Sequence, residues 1–410
     1  MNTQYAVLVL ALFFSLSAVA QETQILTLDQ AIKIAIERNP DIIFSEATVD
    51  VMRARVQDSK SVLYPQVEFR FIIPFIERES GIFVDQLIWD FWRTPNLVKA
   101  SKAQLESSQF DRTSTQENVV LDTKIAYYTV LAKKHMLEAA EKMSAEQEKR
   151  LEQVESFYNL GRESKLEVTK ARVNLGNAKL NLINAMNEHE IAKSKLIKTL
   201  GMEEEDFNYE LEDMLEYKRV YLNLDNSISN AIDSRPELKS LLAKEAGMRA
   251  SLSASKQSLF FPEILGRAAY RFEGEGATGP DFIAGVGVRF PLFEGFSDLS
   301  RVNEERAKLR QSEAQVKSLK AKVESEVKEL YLNLKYAEES IQVTETSKTS
   351  AEENLELARE EFRLGKSSEI ELAEAESLFA STTANHIQAI YNYKIAIAQL
   401  EKATGEKLER

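Results

Sequence analysis

Residues 157–201, FYNLGRESKLEVTKARVNLGNAKLNLINAMNEHEIAKSKLIKTLG, return without a gap at 361–405 as EFRLGKSSEIELAEAESLFASTTANHIQAIYNYKIAIAQLEKATG. A shift of 204 matches Leu160 to Leu364, Gly161 to Gly365, Ser164 to Ser368, Glu167 to Glu371 and Gly201 to Gly405, with 13 of 45 positions identical. A register that needs no insertion is the mark of a duplication. Each copy reads helix, tight turn, helix. Gly161 and Gly365 follow apolar periodic runs and suit the left-handed position that ends a helix. Ser164-x-x-Glu167 and Ser368-x-x-Glu371 read as capping boxes that open the next one.

Working outward, the prolines and glycines divide the chain. All eight prolines lie at 40, 65, 74, 95, 236, 262, 280 and 291, and seven of the 14 glycines fall within 266–295. Breakers thus cluster at roughly 65–95 and 262–295, between long helix-permissive stretches. Thr27-x-x-Gln30 caps a short helix that stops at Asn39-Pro40, echoed by a stop at Arg235-Pro236. The resulting division is a leader at 1–20, a first repeat at 21–210 and a second at 211–410. The first repeat holds helices 41–63, 96–160 and 166–200 around a hairpin at about 65–92. The second holds helices 237–260, 296–364 and 369–404 around a hairpin at about 262–293.

The two breaker windows read as β-hairpins of membrane-strand length and period. In the second, Gly266, Ala268, Tyr270 and Phe272 alternate with Leu265, Arg267, Ala269 and Arg271, and the returning strand alternates likewise through Phe282, Ala284, Val286, Val288 and Phe290. In the first, Val67, Phe69, Phe71, Ile73 and Phe75 alternate with Glu68 and Arg70. The strand Ile82–Trp92 alternates poorly, and its faces stay unassigned. Trp89 and Trp92 sit where an interfacial aromatic girdle belongs. A soluble sheet is the competing reading, but two hairpins make a poor soluble core, and an open sheet is forbidden in lipid. Four strands cannot close a barrel, for which about eight is the minimum, so copies must join to remove the edges.

The helices set the dimensions. Stretches of some 65 residues span roughly 100 Å, and the two shorter helices of each repeat, end to end, nearly match that length. Each repeat is therefore one continuous column beside one spliced column. Val316, Leu319, Val323, Val327, Leu330, Leu334, Ala337 and Ile341 step by three or four, a coiled-coil seam. Charged runs such as Glu146–Arg150 read as solvated faces.

Composition narrows the function. Ala6–Val19 is apolar, and Ala18-Val19-Ala20 before Gln21 is a secretory cleavage pattern; at about 14 residues the run is short of the ~20 needed to span. The chain has no cysteine, which removes disulfides and a lipid-modified N-terminal cysteine, and its net charge of −13 disfavours nucleic acid. His135, His189 and His386 form no metal signature, and neither a phosphate loop nor a nucleophile elbow is present, so no cofactor or enzymatic activity is expected.

Taken together, the leader, the duplicated helix–hairpin–helix plan, the Asn-Pro and Arg-Pro turns and the tips Tyr158-Asn-Leu-Gly161-Arg-Glu-Ser164 and Phe362-Arg-Leu-Gly365-Lys-Ser-Ser368 resemble the TolC-type outer-membrane efflux family over residues 26–405. Phe293-Glu-Gly295-Phe296 is similar to the signature that follows the family's fourth strand; the first-half equivalent, Trp89-Asp-Phe91-Trp92, lacks the glycine. The resemblance implies a mainly α chain with a β membrane part. Three copies of it would build a trimeric α-barrel tunnel under a 12-stranded β-barrel in outer-membrane lipid. It implies a passive exit duct of a tripartite efflux or type I secretion system. The partners implied are a second and third copy, a periplasmic adaptor and, through it, an inner-membrane transporter of RND, ABC or MFS type. The adaptor would dock on the tip turns: Leu160, Gly161, Arg162, Ser164 and Glu167, with Leu364, Gly365, Lys366 and Ser368. It also implies a carboxylate gate at Glu371 and Glu374, although Glu371 doubles as a capping residue. Ser367 and Phe362 replace the family's locking arginine and tip tyrosine, and Lys366, Arg162 or Arg363 could substitute by pairing with Glu167 or Glu163. The alternative is a periplasmic coiled-coil scaffold or adaptor without a pore.

Overall fold

The computed structural model describes residues 24–71, 80–213, 216–272, 281–364 and 366–408. The leader at 1–20, both hairpin turns and the expected left-handed Gly365 lie outside them. A short strand β1 (Gln24–Leu26) leads into α1 (Leu28–Arg38) and α2 (Pro40–Ser61), then strands β2 (Gln66–Arg70) and β3 (Gly81–Trp89). Two long antiparallel helices follow, α3 (Arg93–Asn159) and α4 (Lys165–Leu200). The second repeat runs β4 (Tyr209–Leu211), α5 (Leu224–Ser234), α6 (Pro236–Phe260), β5 (Glu263–Arg271), β6 (Asp281–Arg289), α7 (Ser297–Arg363) and α8 (Glu369–Thr404). Helices α3 and α7 are each 67 residues and α4 and α8 each 36, so all four obey the 204-residue offset end for end.

The spliced columns are visible at their joints. The C-terminus of α4 meets the N-terminus of α2, where Asn39 caps Asp41 N–H with its Oδ1 and donates Nδ2–H to Thr199 O at 2.8 Å. Gly201 closes α4 at φ +67°, and any Cβ there would lie 2.5 Å from Arg38 O. The second joint is ionic. Arg235 donates to Ala403 O at 2.9 Å and to Glu326 on α7 at 2.8 Å, so α8, α6 and α7 converge on one guanidinium. Proline opens both α2 and α6, where its missing N–H costs no hydrogen bond.

The apolar core lies at the level of these joints. One cluster gathers Leu26, Ala31, Ala35, Tyr127, Tyr128, Leu131, Leu196, Leu200 and Tyr391; a second gathers Val323, Val327, Leu334, Ile341, Tyr393, Ile397 and Leu400. From Val323 to Ile341 the α7 seam read from spacing is this second cluster, with Leu319 and Leu330 packed against it; Val316, at the start of the seam, is also buried. Two features here gave no sequence signal. β1 pairs in parallel with β4, three residues on three. The segment after β4 is a strap bound by side chains. Tyr127 Oη donates to Glu212 O at 3.3 Å as well as to Leu26 O of β1 at 2.8 Å, Tyr393 Oη donates to Lys218 O at 2.9 Å, and Lys394 Nζ donates to Glu216 O at 2.6 Å.

The hairpins join into one antiparallel sheet in the order β2-β3-β5-β6. Register assigns the faces that the sequence left open. Val67 and Phe69 lie beside Val84 and Ile82, these beside Ala268 and Tyr270, and these beside Ala284 and Phe282. Beyond Leu87 the pairing slips by one residue at Ile88, so that Trp89 rather than Ile88 stands opposite Ile264. The bulge returns Trp89 to the apolar face one residue out of phase, and before it Gln86 on that face and Phe83 and Leu87 on the other already break the alternation of β3.

Candidate functional site

On its other face the sheet is charged and internally paired. Arg70 holds Glu68 at 2.9 Å, Arg267 holds Asp85 at 2.6 and 3.2 Å, and Glu263 receives both Arg289, at 2.5 Å, and Arg93 from the start of α3. Each strand-to-helix corner turns through left-handed residues: Phe91 and Trp92 (φ 52° and 74°) before α3, Gly295 and Phe296 (φ 62° and 66°) before α7. Phe91 therefore takes a conformation that suits the glycine it replaces, and it is held by stacking on Phe261 at 4.9 Å. Trp89 and Trp92 pack edge to face at 5.6 Å, both partly exposed.

At the opposite end, each long hairpin closes on a small apolar cluster. Val154, Val168 and Ala171 hold α3 to α4; Leu355, Leu372 and Ala375 hold α7 to α8. Leu160 and Leu364 project into solvent, Gly161 adopts φ +71°, and Arg162, Ser164, Lys366 and Ser368 are exposed.

The two caps differ. Ser368 Oγ accepts from Glu371 N–H, and Glu371 Oε2 accepts from Ser368 N–H at 2.8 Å and from Ser367 Oγ at 2.7 Å, a complete box. Those donors hold the Glu371 carboxyl below its ordinary value, the backbone N–H of Ser368 foremost. Ser164 caps Glu167 N–H, but the Glu167 side chain turns instead to Lys170 Nζ at 2.8 Å. The expected box at Ser164 is therefore only half made. A cation one turn on competes for the carboxylate; at the matching second-repeat position stands Glu374, which cannot.

Glu374 is exposed and lines a shallow groove between α8 and α4 with Lys170, Asn174, Glu369 and Ser377. Glu371 and Glu374 are thus neighbours on α8, the first engaged by the cap and the second turned to the groove.

The substitute lock expected from Lys366, Arg162 or Arg363 is not what ties the tip within one chain. Glu167 is taken by Lys170, and Arg363 pairs with Glu360 of its own helix at 3.5 Å. The tie is Arg150 of α3. Its Nη2 meets Glu369 Oε2 at 2.8 Å, its guanidinium lies 3.8 Å over the Phe362 ring, and the Arg150 and Glu369 side chains are only 15% and 9% exposed. Gln147 Nε2 donates to Glu376 Oε2 at 2.5 Å, and Arg359 pairs with Glu146 at 2.7 Å. Burial pushes the Glu376 carboxyl above its ordinary value. The run Glu146–Arg150, read from sequence as solvated, therefore carries the bridge between hairpins. The signal for it was the acidic complement on α8, Glu369 and Glu376. Phenylalanine at 362 fits this arrangement, since a guanidinium uses the ring face and not a hydroxyl.

A sequence model of the outer membrane efflux protein family matches residues 75–202 and 227–406. The chain belongs to that family. Among relatives, the outer membrane efflux protein BepC of Brucella suis is 22% identical over 401 residues, 92% of this chain and 85% of BepC. Outer membrane protein TolC of Vibrio cholerae is 20% identical over 396 residues, 91% of this chain and 89% of TolC. The crystal structure of the Campylobacter jejuni CmeC outer membrane channel has the same fold, with a TM-score of 0.82 at 15% identity over 92% of this chain and 85% of CmeC. This outer membrane efflux protein is thus a TolC-like chain of the Gram-negative outer membrane.

Proposed function

We propose that the chain is one of three identical staves of the exit duct of a tripartite pump, passing solutes or polypeptides passively from periplasm to exterior. One observation carries the reading: the open edges of the sheet and of the helical layer coincide. The sheet ends on β2 and β6. The helices stand in the row α4-α3-α8-α7 in one half and α2-α3-α6-α7 in the other. β2 follows α2 at one end of the row, and β6 precedes α7 at the other, so a single seam runs the whole length. An unpaired strand edge with an apolar face is untenable in lipid. Head-to-tail closure by rotation removes both edges, and three copies of four strands give a barrel of about twelve, within the known range.

The balanced ion pairs on the sheet's charged face suit a water-filled lumen. The acidic Glu371 and Glu374 near the tip suit a constriction that attracts cations and repels anions. An adaptor, coupled to an inner-membrane transporter, would engage the exposed turns at Leu160–Ser164 and Leu364–Ser368. Energy then enters at the inner membrane, in keeping with a family of channels rather than enzymes. A pore-free scaffold leaves the lipid-length apolar sheet face unexplained.

Planar-bilayer recording of the purified oligomer tests the duct, with a steady conductance expected and a silent, detergent-independent protein against it. For the gate, Glu374→Ala is expected to raise single-channel conductance or weaken block by divalent cations. Unchanged values of both would remove Glu374 from the constriction.

A further inference from the structure

We propose that the charged face of the sheet carries a binding surface for lipophilic organic solutes: two apolar rows set about an ionic one and floored by glycine. This rests on the duct reading above, in which that face lines the bore, and deepens it by naming what the bore wall holds.

Register defines the rows. On this face Phe83 stands beside Ala269, and Ala269 beside Ile283, in one row across β3, β5 and β6. Two residues along, Asp85, Arg267 and Gly285 form the next row, and two further on Leu87, Leu265 and Gly287 form a third. Apolar rows thus flank an ionic one. Ile283 is 45% exposed and Ala269 beside it only 4%, while Phe83 carries Arg70 over its ring at 5.0 Å. Water-filled barrels are polar inside, so a phenylalanine, an isoleucine and two leucines on the bore face call for an apolar occupant.

The glycines are a second, independent observation. A glycine within a strand marks a bulge, a bend or the close approach of a ligand or another backbone. Gly285 and Gly287 pair with Arg267 and Leu265 in unbroken register, so neither is at a bulge. Neither takes a positive φ, and a Cβ built on either meets nothing within 4 Å. Packing within the chain therefore does not require the side chains to be missing, and β6 presents bare backbone to the bore beside the apolar rows. Rows two residues apart are separated by about 7 Å, and three strands span about 10 Å, a footprint for a body of two fused rings.

Charge disfavours a simple ion as the occupant. Asp85 is held by Arg267, Glu68 by Arg70, and Glu263 by both Arg289 and Arg93, so each of these carboxylates already has its cation. What the surface leaves unmatched is apolar area. It takes the apolar body of a solute, whatever the sign of the head group.

The purified full-length oligomer is recorded in planar bilayers with probes added on the barrel side, in two pairs matched in charge. These are naphthalene-2-sulfonate against methanesulfonate, and naphthylmethyl-trimethylammonium against tetramethylammonium. The ring-bearing member of each pair should block the current for at least about tenfold longer. Phe83→Ser with Ile283→Ser should abolish that difference. So should Gly287→Gln, which fills the floor and keeps the apolar rows; one conducting variant suffices to decide. Equal block by both members of each pair overturns the surface, as does a difference that survives either variant. A difference confined to one pair also overturns it, because the head group is then what binds. In these cases steady conductance remains and the duct reading stands. A protein without conductance removes the duct reading, and the surface with it.

Discussion

The first and second tip turns have the same Leu-Gly pair and the same serine cap, and each joins a 67-residue helix to a 36-residue one, yet they are held differently. The second is bound to a foreign helix through Arg150, Glu369 and Phe362 and completes its capping box. The first is bound within its own hairpin, by exposed pairs such as Arg172–Glu155, and its capping glutamate is diverted to Lys170. Duplication copied the backbone, and a few side chains then separated the roles. Apolar contacts hold each hairpin together near the tip, whereas charged and polar contacts hold one hairpin to the other. The polar seam is the one that can part without exposing a core.

Removing the tie should give the largest difference between the tips. Arg150→Ala strips the partner from a nearly buried carboxylate, a loss of about 3–5 kcal/mol for such a pair, read as faster hydrogen exchange in the first turns of α8. The counterpart Arg172→Ala breaks an exposed pair and should cost at most about 1 kcal/mol. Equal effects would erase the contrast. The caps should rank next. Ser368→Ala is expected to cost about 1–2 kcal/mol and Ser164→Ala about half that, because only the second cap is reciprocal; exchange protection of Glu371 N–H and Glu167 N–H measures both.

A smaller effect depends on pH. Because burial raises the Glu376 carboxyl, the native chain keeps that proton longer than the unfolded one. The stability it contributes is present below the ordinary value of 4.5 and is lost as pH rises through the raised one. Glu376→Gln, which keeps an acceptor for Gln147, should therefore be more stable than the parent at pH 7. The advantage should fade below pH 4.5 in thermal melts. A pH-independent difference would mean that packing, not charge, governs this end of the bridge.

Sequence by itself carried the duplication, the long helices, the splices at Asn39-Pro40 and Arg235-Pro236 and the apolar face of β5 and β6. All of these depend on spacing, on proline or on helix ends, and such signals are local. It was silent on the β1–β4 pair, whose three-residue strands lie 185 residues apart and gain their stability from Tyr127 and its neighbours. It left the faces of β3 unassigned, because Phe83, Gln86 and Leu87 break the alternation and the bulge at Ile88 then shifts its phase. It also took Glu146–Arg150 for a solvated run and Glu167 for a complete cap. Which charge is buried, and which carboxylate a lysine captures, depends on helices brought together from opposite ends of the chain. Periodicity determined which faces are apolar; only the packing of one hairpin against the other decided where the charges went.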